Sequence, residues 1–313
     1  MKGLIVKSTG SWYEVETEEK ERINARLKGK FRLKGLKSTN PVAVGDFVRF
    51  QMEGEEGVIH TIEDRKNYIV RRSINLSKQI QIIAANIDQL FLVITIDSPI
   101  TTLGFIDRFL AGAEAYRIPA VLVYNKMDLY ASEAQKKELE RWQSIYDLAG
   151  YEQLSVSAEQ KTGIDHLIEK MKGKTSIFSG HSGVGKSTLV NSLDENFKLR
   201  VNEISEYHKT GKHTTTFAEL FELPFGGKII DTPGIKGFGT VELENEVLSH
   251  YFPEMRKRMH ECKFNNCVHI NEPHCAIKKA VESGEIPKSR YENYLSIYND
   301  DERDHHRAKG IRG

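Results

Sequence analysis

The stretch Gly180-His181-Ser182-Gly183-Val184-Gly185-Lys186-Ser187, followed by Thr188, fits G-x-x-x-x-G-K-S. Glycines at that spacing let backbone N–H groups wrap a string of phosphates. The lysine ammonium reaches the terminal phosphate oxygens, and the serine hydroxyl is placed to ligate Mg²⁺. Apolar residues at 175–178 predict a strand before the loop, and Leu189 and Val190 predict a helix after it, which is the setting this loop requires. Asp231-Thr232-Pro233-Gly234 fits D-x-x-G after a second expected strand at 228–230. There Asp231 would touch Mg²⁺ through water, and Gly234 would sense the γ-phosphate. Upstream, Gly211-Lys212-His213-Thr214-Thr215-Thr216 supplies hydroxyls in a loop suited to close over the ion. Thr215 is the first choice of Mg²⁺ ligand beside Ser187, and Thr214 the second.

Asn125-Lys126-Met127-Asp128 ends an expected strand at 120–124, at the carboxyl edge of a sheet, where ligands of such folds bind. A carboxylate at Asp128 can accept from the N1–H and exocyclic amine of guanine together. Adenine has no such donor pair and would leave the acid unpaired, so GTP and GDP are the expected ligands and an ATPase is the weaker reading. Asn125 would fix the loop and the base edge, and the Lys126 stem would cover the ring. Ser157-Ala158, after an expected strand at 154–156, completes the set with a backbone N–H for the guanine oxygen. In the usual GTPase the phosphate loop comes first and these two base motifs last. Here the base motifs come first, which is a circular permutation. A site assembled from strand ends survives such a rearrangement.

All three cysteines of the chain fall in Cys262, Cys267 and Cys275, and His269 lies among them as C-x4-C-x-H-x5-C. Three thiolates and one imidazole are the donor set of a closed tetrahedral Zn²⁺ site, structural rather than catalytic, stapling a region expected to have little apolar core of its own. His260 and His274 are nearby alternatives for the fourth ligand.

These motifs must be positioned by 313 residues, enough for two or three domains. With 39% hydrophobic and 28% charged residues the composition is that of a globular protein. The longest apolar stretch, residues 90–96, is too short to cross a bilayer, and residues 1–10 have no signal-peptide pattern; a cytoplasmic location without membrane contact is expected. Residues 1–72 carry short apolar runs at Leu4-Ile5-Val6, Trp12-Tyr13, Phe47-Val48-Arg49-Phe50, Val58-Ile59 and Tyr68-Ile69-Val70, the spacing of a small β-barrel. Between strands, residues 20–37 hold eight basic side chains and one acid, Glu21, with Phe31 and Leu33 interleaved, as on an OB-fold that binds nucleic acid. Residues 73–250 alternate strand and amphipathic helix, predicting a parallel-sheet GTPase domain; 251–313 read as helices around the cysteine cluster, with a charged tail from Asp300 that should fray. The net charge of +1 conceals basic flanks and an acidic centre, a distribution that suits a polyanionic partner.

An OB-like barrel, a permuted GTPase and a C-terminal Cys3His cluster together resemble the RsgA family of small-subunit ribosome-assembly GTPases. The resemblance covers nearly the whole chain and runs through Asn125 to Asp128, Gly180 to Thr188, His213 to Thr216, Asp231 to Gly234 and the cluster. It implies GTP hydrolysis to GDP and phosphate during late maturation of the small subunit, with rRNA as partner and binding and release coupled to the nucleotide. It favours His269 as the fourth zinc ligand. It also implies a catalytic histidine at His213. Ile235 follows D-x-x-G where many GTPases carry a water-orienting glutamine, so another group must take that part. A monomer is expected. The alternative function is a nucleotide-gated RNA-binding scaffold in which hydrolysis is incidental.

Overall fold

The computed structural model describes residues 1–10, 12–28, 41–72, 80–194, 218–231 and 243–310. The chain divides into two compact units. One is formed by the described residues of Met1–Leu90, Ile164–Phe178 and Ser187–Ile235, the other by those of Phe91–Gly163, Ser179–Lys186 and Lys236–Gly313.

In the first unit, β1 (Lys2–Ser8), β2 (Tyr13–Thr17), β3 (Arg22–Leu27), β4 (Phe47–Glu53) and β5 (Glu56–Ile62) pair in the order β1-β2-β3-β5-β4, and β4 returns to β1. This is a closed five-stranded barrel with the connectivity of an OB-fold. Along β4, Val48 and Phe50 point inward while Phe47, Arg49 and Gln51 face solvent, the period-two pattern of a half-buried strand. The sequence reading differs in one strand. Tyr68-Ile69-Val70 belongs to β6 (Tyr68–Arg72), which among the described residues pairs only with β7 (Ile80–Ala85), and the fifth barrel strand is β3, inside the basic stretch. β3 escapes a search for apolar runs because its inward residue is small. Ala25 pairs with Gly57, where a Cβ would stand 3.1 Å from that of Ala25 and 3.0 Å from Phe50 Cδ2. Bulk is excluded there, so no hydrophobic signal survives.

The same unit holds α3 (Ile164–Met171), β11 (Thr175–Ser179, as far as Phe178), α4 (Lys186–Leu193, from Ser187), β12 (Glu219–Glu222) and β13 (Lys228–Asp231). β11 and β13 are parallel, but β12 runs antiparallel to β13 and meets β1 at Lys7 and Glu219, so the sheet is mixed.

The second unit carries β8 (Gln89–Ile94, from Phe91), α1 (Leu103–Ala115), β9 (Ala120–Tyr124), α2 (Glu133–Ala149) and β10 (Glu152–Ser155). β9 and β10 are parallel. Thr102 caps α1 by accepting from the Phe105 N–H, and Ser132 with Gln135 forms a capping box on α2. The C-terminal part contains a 3₁₀ segment (Asn245–Tyr251), α5 (Pro253–Arg256), α6 (Ala276–Glu282) and α7 (Lys288–Gly310), so helical backbone extends into the segment expected to fray. This region also has more core than its sequence suggested. Leu248, Phe252, Met255, Ile277, Ile286, Tyr294 and Ile297 are buried together with Ala111 of α1 and with Cys267 and Cys275. The apolar residues are scattered among charged ones, and only helical folding brings them to one side.

Candidate nucleotide site and metal centre

Gly180 leaves β11 with φ +143°, and a Cβ there would lie 2.2 Å from the carbonyl oxygen of Val93 in β8, so only glycine fits. Gly185 has φ +91°, and its Cβ would stand 2.4 Å from Asn125 Nδ2. Val184 is buried beneath the loop, whereas His181, Ser182 and Gly183 are exposed. The Lys186 ammonium turns back over the loop and donates to the carbonyl oxygens of Gly180, at 2.7 Å, and His181, at 2.6 Å. A positive charge is thus held over the glycine loop, as a loop that receives phosphate requires. The His181 ring lies on Phe105 of α1, with centroids 3.7 Å apart. Burial and then the Lys186 charge push its pKa below the ordinary histidine value, keeping the imidazole neutral. Ser187 and Thr188 are exposed in the first turn of α4.

Asn125 draws the separate motifs together. Its Nδ2 donates to the Val184 carbonyl in the phosphate loop at 2.9 Å, and its Oδ1 accepts from the Ala158 N–H at 3.2 Å. The side chain is buried, so both bonds are formed away from water and hold two loops in register. The Ser157 hydroxyl donates to Asp128 Oδ1, orienting the carboxylate, and Ser157 pairs with Thr162 in a short bridge. Met127 N–H donates to the Val156 carbonyl at 3.2 Å. Lys126, with φ +63°, extends to the carbonyl of Ser98 at 2.6 Å. Residues far apart in sequence therefore meet: 98, 125–128, 157–158 and 180–186. Asp231 is the last residue of β13. Gly234, with Thr232 and Pro233, lies outside the described residues, as do His213, Thr214, Thr215 and Ile235. The sequence reading overlooked Ser98, Phe105 and Tyr130. The first two belong to no motif; Tyr130 was detectable only as an aromatic two residues beyond Asp128.

Cys262, Cys267, His269 and Cys275 place one ligand atom each within 4.8 Å of all the others. His269 Nδ1 faces the sulfurs, 3.6 Å from Cys262 Sγ and 3.4 Å from Cys275 Sγ. A tetrahedral ion with Zn–S near 2.3 Å and Zn–N near 2.05 Å would separate such atoms by about 3.6 Å, so the donor set fits a metal ion. His260 and His274 are exposed and outside this group. The turn that presents His269 has φ +62° and is fixed from outside. Glu272 accepts from the N–H groups of Val268 and Ile270, and the hydroxyls of Tyr291 and Tyr294 donate to the carbonyls of His269 and Val268, both at 2.6 Å. Burial above all raises the thiol pKa values of Cys267 and Cys275, so thiolates there call for a cation. Among the described residues no helix is long and apolar enough to cross a membrane.

A barrel of this connectivity, a phosphate loop and an N-K-x-D strand end in permuted order define a circularly permuted P-loop GTPase, a GTP hydrolase. The RsgA N-terminal domain family matches residues 2–59, and the RsgA GTPase family matches residues 62–241. A protein of Flavobacterium johnsoniae described as small ribosomal subunit biogenesis GTPase RsgA is 55% identical over 312 residues, covering 98% of this chain and 95% of that protein. Small ribosomal subunit biogenesis GTPase RsgA 2 of Bacteroides thetaiotaomicron is 52% identical over 309 residues, covering 98% and 99%. The crystal structure of YjeQ from Thermotoga maritima superposes with a TM-score of 0.78 at 38% identity, covering 96% of this chain and 97% of that one. YloQ, a circularly permuted GTPase, gives 0.77 at 30% identity, covering 97% and 95%. The chain belongs to the RsgA GTPase family.

Proposed function

We propose that this chain hydrolyses GTP to GDP and phosphate during late maturation of the small ribosomal subunit, with its binding to and release from the subunit and its rRNA governed by the nucleotide. The observation that carries this reading is the buried Asn125 side chain, which ties the phosphate loop to the Ser157-Ala158 segment and so supports a single guanine-nucleotide site despite the permuted order. In it, Gly180 to Thr188 bind the phosphates, with the Lys186 ammonium transferred from its own loop carbonyls to the β- and γ-phosphate oxygens. Asp128, already oriented by Ser157, accepts from the guanine edge, while Lys126 and Met127 flank the base and Ala158 offers its N–H. Ser187 and Thr215 would ligate Mg²⁺, which when bound neutralises charge developing on the phosphates; the Asp231–Gly234 motif would touch it through water and sense the γ-phosphate. His213 orients the attacking water, as Ile235 has no polar side chain for it. Zn²⁺ held by Cys262, Cys267, His269 and Cys275 serves structure alone, with no ligand position left for water. The reading divides the chain into a barrel at 1–72, a GTPase domain at 73–250 and a zinc domain at 251–313, acting as a cytoplasmic monomer.

The test is GTP turnover by purified protein alone and with small subunits, large subunits or unrelated structured RNA at matched salt, because phosphate contacts dominate nonspecific affinity. Selective stimulation by small subunits is expected; equal stimulation by all three polyanions would remove the ribosomal assignment. His213→Ala should retain GTP affinity and lose turnover. Metal analysis should find one zinc per chain, and Cys275→Ala should lose it.

A further inference from the structure

Tyr130 stands two residues after Asp128, buried, at the end of the short 3₁₀ turn Met127–Leu129. Its hydroxyl makes two bonds. It donates to the carbonyl of Asn125 at 2.8 Å and accepts from the N–H of Ile96 at 3.1 Å. Ile96 lies just beyond β8 and leads into the segment whose Ser98 carbonyl receives the Lys126 ammonium. One hydroxyl therefore joins the strand-end segment 96–98 to the start of the N-K-M-D turn, and Lys126 closes the same link four residues earlier in the chain. Asn125 is held on every polar side. Its side chain engages Val184 and Ala158, its N–H the Ile94 carbonyl, and its carbonyl the Tyr130 hydroxyl. Burial pushes the Tyr130 pKa up to about 12, so the hydroxyl keeps its proton and remains a donor.

We infer that Tyr130 is the positioning residue of guanine recognition, setting through its hydroxyl the backbone on which Asn125 and Asp128 meet the base. The inference rests on the reading of Asp128 as the guanine acceptor. An aromatic ring in this place could simply fill space, and phenylalanine would do that equally well. The hydroxyl distinguishes the two roles, since without it a buried carbonyl and a buried N–H are left unpaired and the turn can shift. The phosphate loop keeps its own glycine turns and meets this turn through the Asn125 side chain, whereas Asp128 rides on the turn itself, so a shift would be felt first at the base and far less in the chemical step.

The experiment compares Tyr130→Phe with the natural chain, using GTP and inosine triphosphate, which lacks the exocyclic amine. Tyr130→Phe is expected to raise KM for GTP about tenfold, with kcat within about twofold, and to reduce the preference for GTP over inosine triphosphate by a similar factor. Unchanged KM and preference, or an equal fall in kcat/KM for both nucleotides, would overturn the inference. A natural chain that does not prefer GTP over inosine triphosphate would instead overturn the reading of Asp128. Hydrogen exchange at the Ile96 amide of the natural chain gives a second measure independent of the variant's folding. Slowing by GDP but not by ADP supports the link, and equal slowing by both contradicts it.

Discussion

Arg290 in α7 and Arg26 in β3 make contacts of nearly the same length, 2.8 Å to Asp107 and to Glu254 in one case and 2.9 Å to Glu53 in the other. Their surroundings differ. The side chains of Arg290, Asp107 and Glu254 are 1%, 1% and 3% exposed, whereas those of Arg26 and Glu53 are 43% and 59% exposed. The Arg290 guanidinium lies 4.8 Å from the centre of the Phe252 ring, 5.5 Å from that of Tyr151 and 5.8 Å from that of Tyr146. Asp107 takes further bonds from Tyr146 and Asn293, so the two acids and the guanidinium are bonded within the protein. In the barrel unit, Lys20 with Glu222, 55% and 43% exposed, repeats the open arrangement of Arg26. A contact distance therefore says little about worth. The difference lies in what is left behind when one partner is removed, an isolated buried charge in one region and a hydrated one in the other.

The largest expected effect follows from Arg290. Arg290→Met keeps the bulk but removes both Arg290 bonds to Glu254 and the cation beside Asp107, leaving two buried carboxylates without their counter-charge, and should cost about 3–5 kcal/mol of unfolding free energy by denaturant titration. Replacing Asp107 and Glu254 by leucine in the same chain should restore most of that loss, since the charges then disappear together. A cost below about 1 kcal/mol for Arg290→Met alone would mean that burial is not what separates the two regions.

An intermediate case lies in the barrel unit itself. Arg65 donates twice to Asp46 at 2.6 Å and also to the Pro41 carbonyl, with side chains 8% and 0% exposed. Asp46 keeps the Ala43 N–H when the arginine is lost, and one buried acid rather than two is left without its cation. Arg65→Met should therefore cost about 2–3 kcal/mol, less than Arg290→Met and well above any exposed pair. If it behaved like Arg26, region and not burial would set the cost.

Neither buried arginine was visible in the sequence, although Arg290 left a trace: Arg290, Tyr294 and Ile297 fall at i, i+4 and i+7, placing an arginine on an apolar stripe. The elements that were legible are those whose pattern is strong, such as the strand Ala120–Tyr124, and the motifs whose chemistry is written in consecutive residues. The barrel was legible as a class, but not β3, because Ala25 and Gly57 meet where bulk is excluded. The cysteines pointed to a metal ion, yet spacing alone could not choose among His260, His269 and His274. That choice depends on a turn held by Glu272, Tyr291 and Tyr294, contacts that no local pattern announces. Tyr130 was hidden for the same reason, its partner Ile96 being 34 residues away.

The smallest effect is the most discriminating for the barrel. Arg26 sits among Glu53 and Glu56, at 2.9 Å and 3.5 Å, with water on all three. Removing it by Arg26→Met frees two carboxylates that solvent can hydrate at once, so the unfolding free energy should change by less than about 0.5 kcal/mol at moderate salt. Lowering the ionic strength should enlarge the effect only slightly, because the pair is exposed and closer than a screening length. A loss above about 1.5 kcal/mol would show that the strand depends on the pair. The expected silence has a further meaning for β3: its place in the barrel rests on pairing with β2 and β5 around the fully buried Ala25, and Ala25→Leu should be the change at β3 that the fold absorbs least.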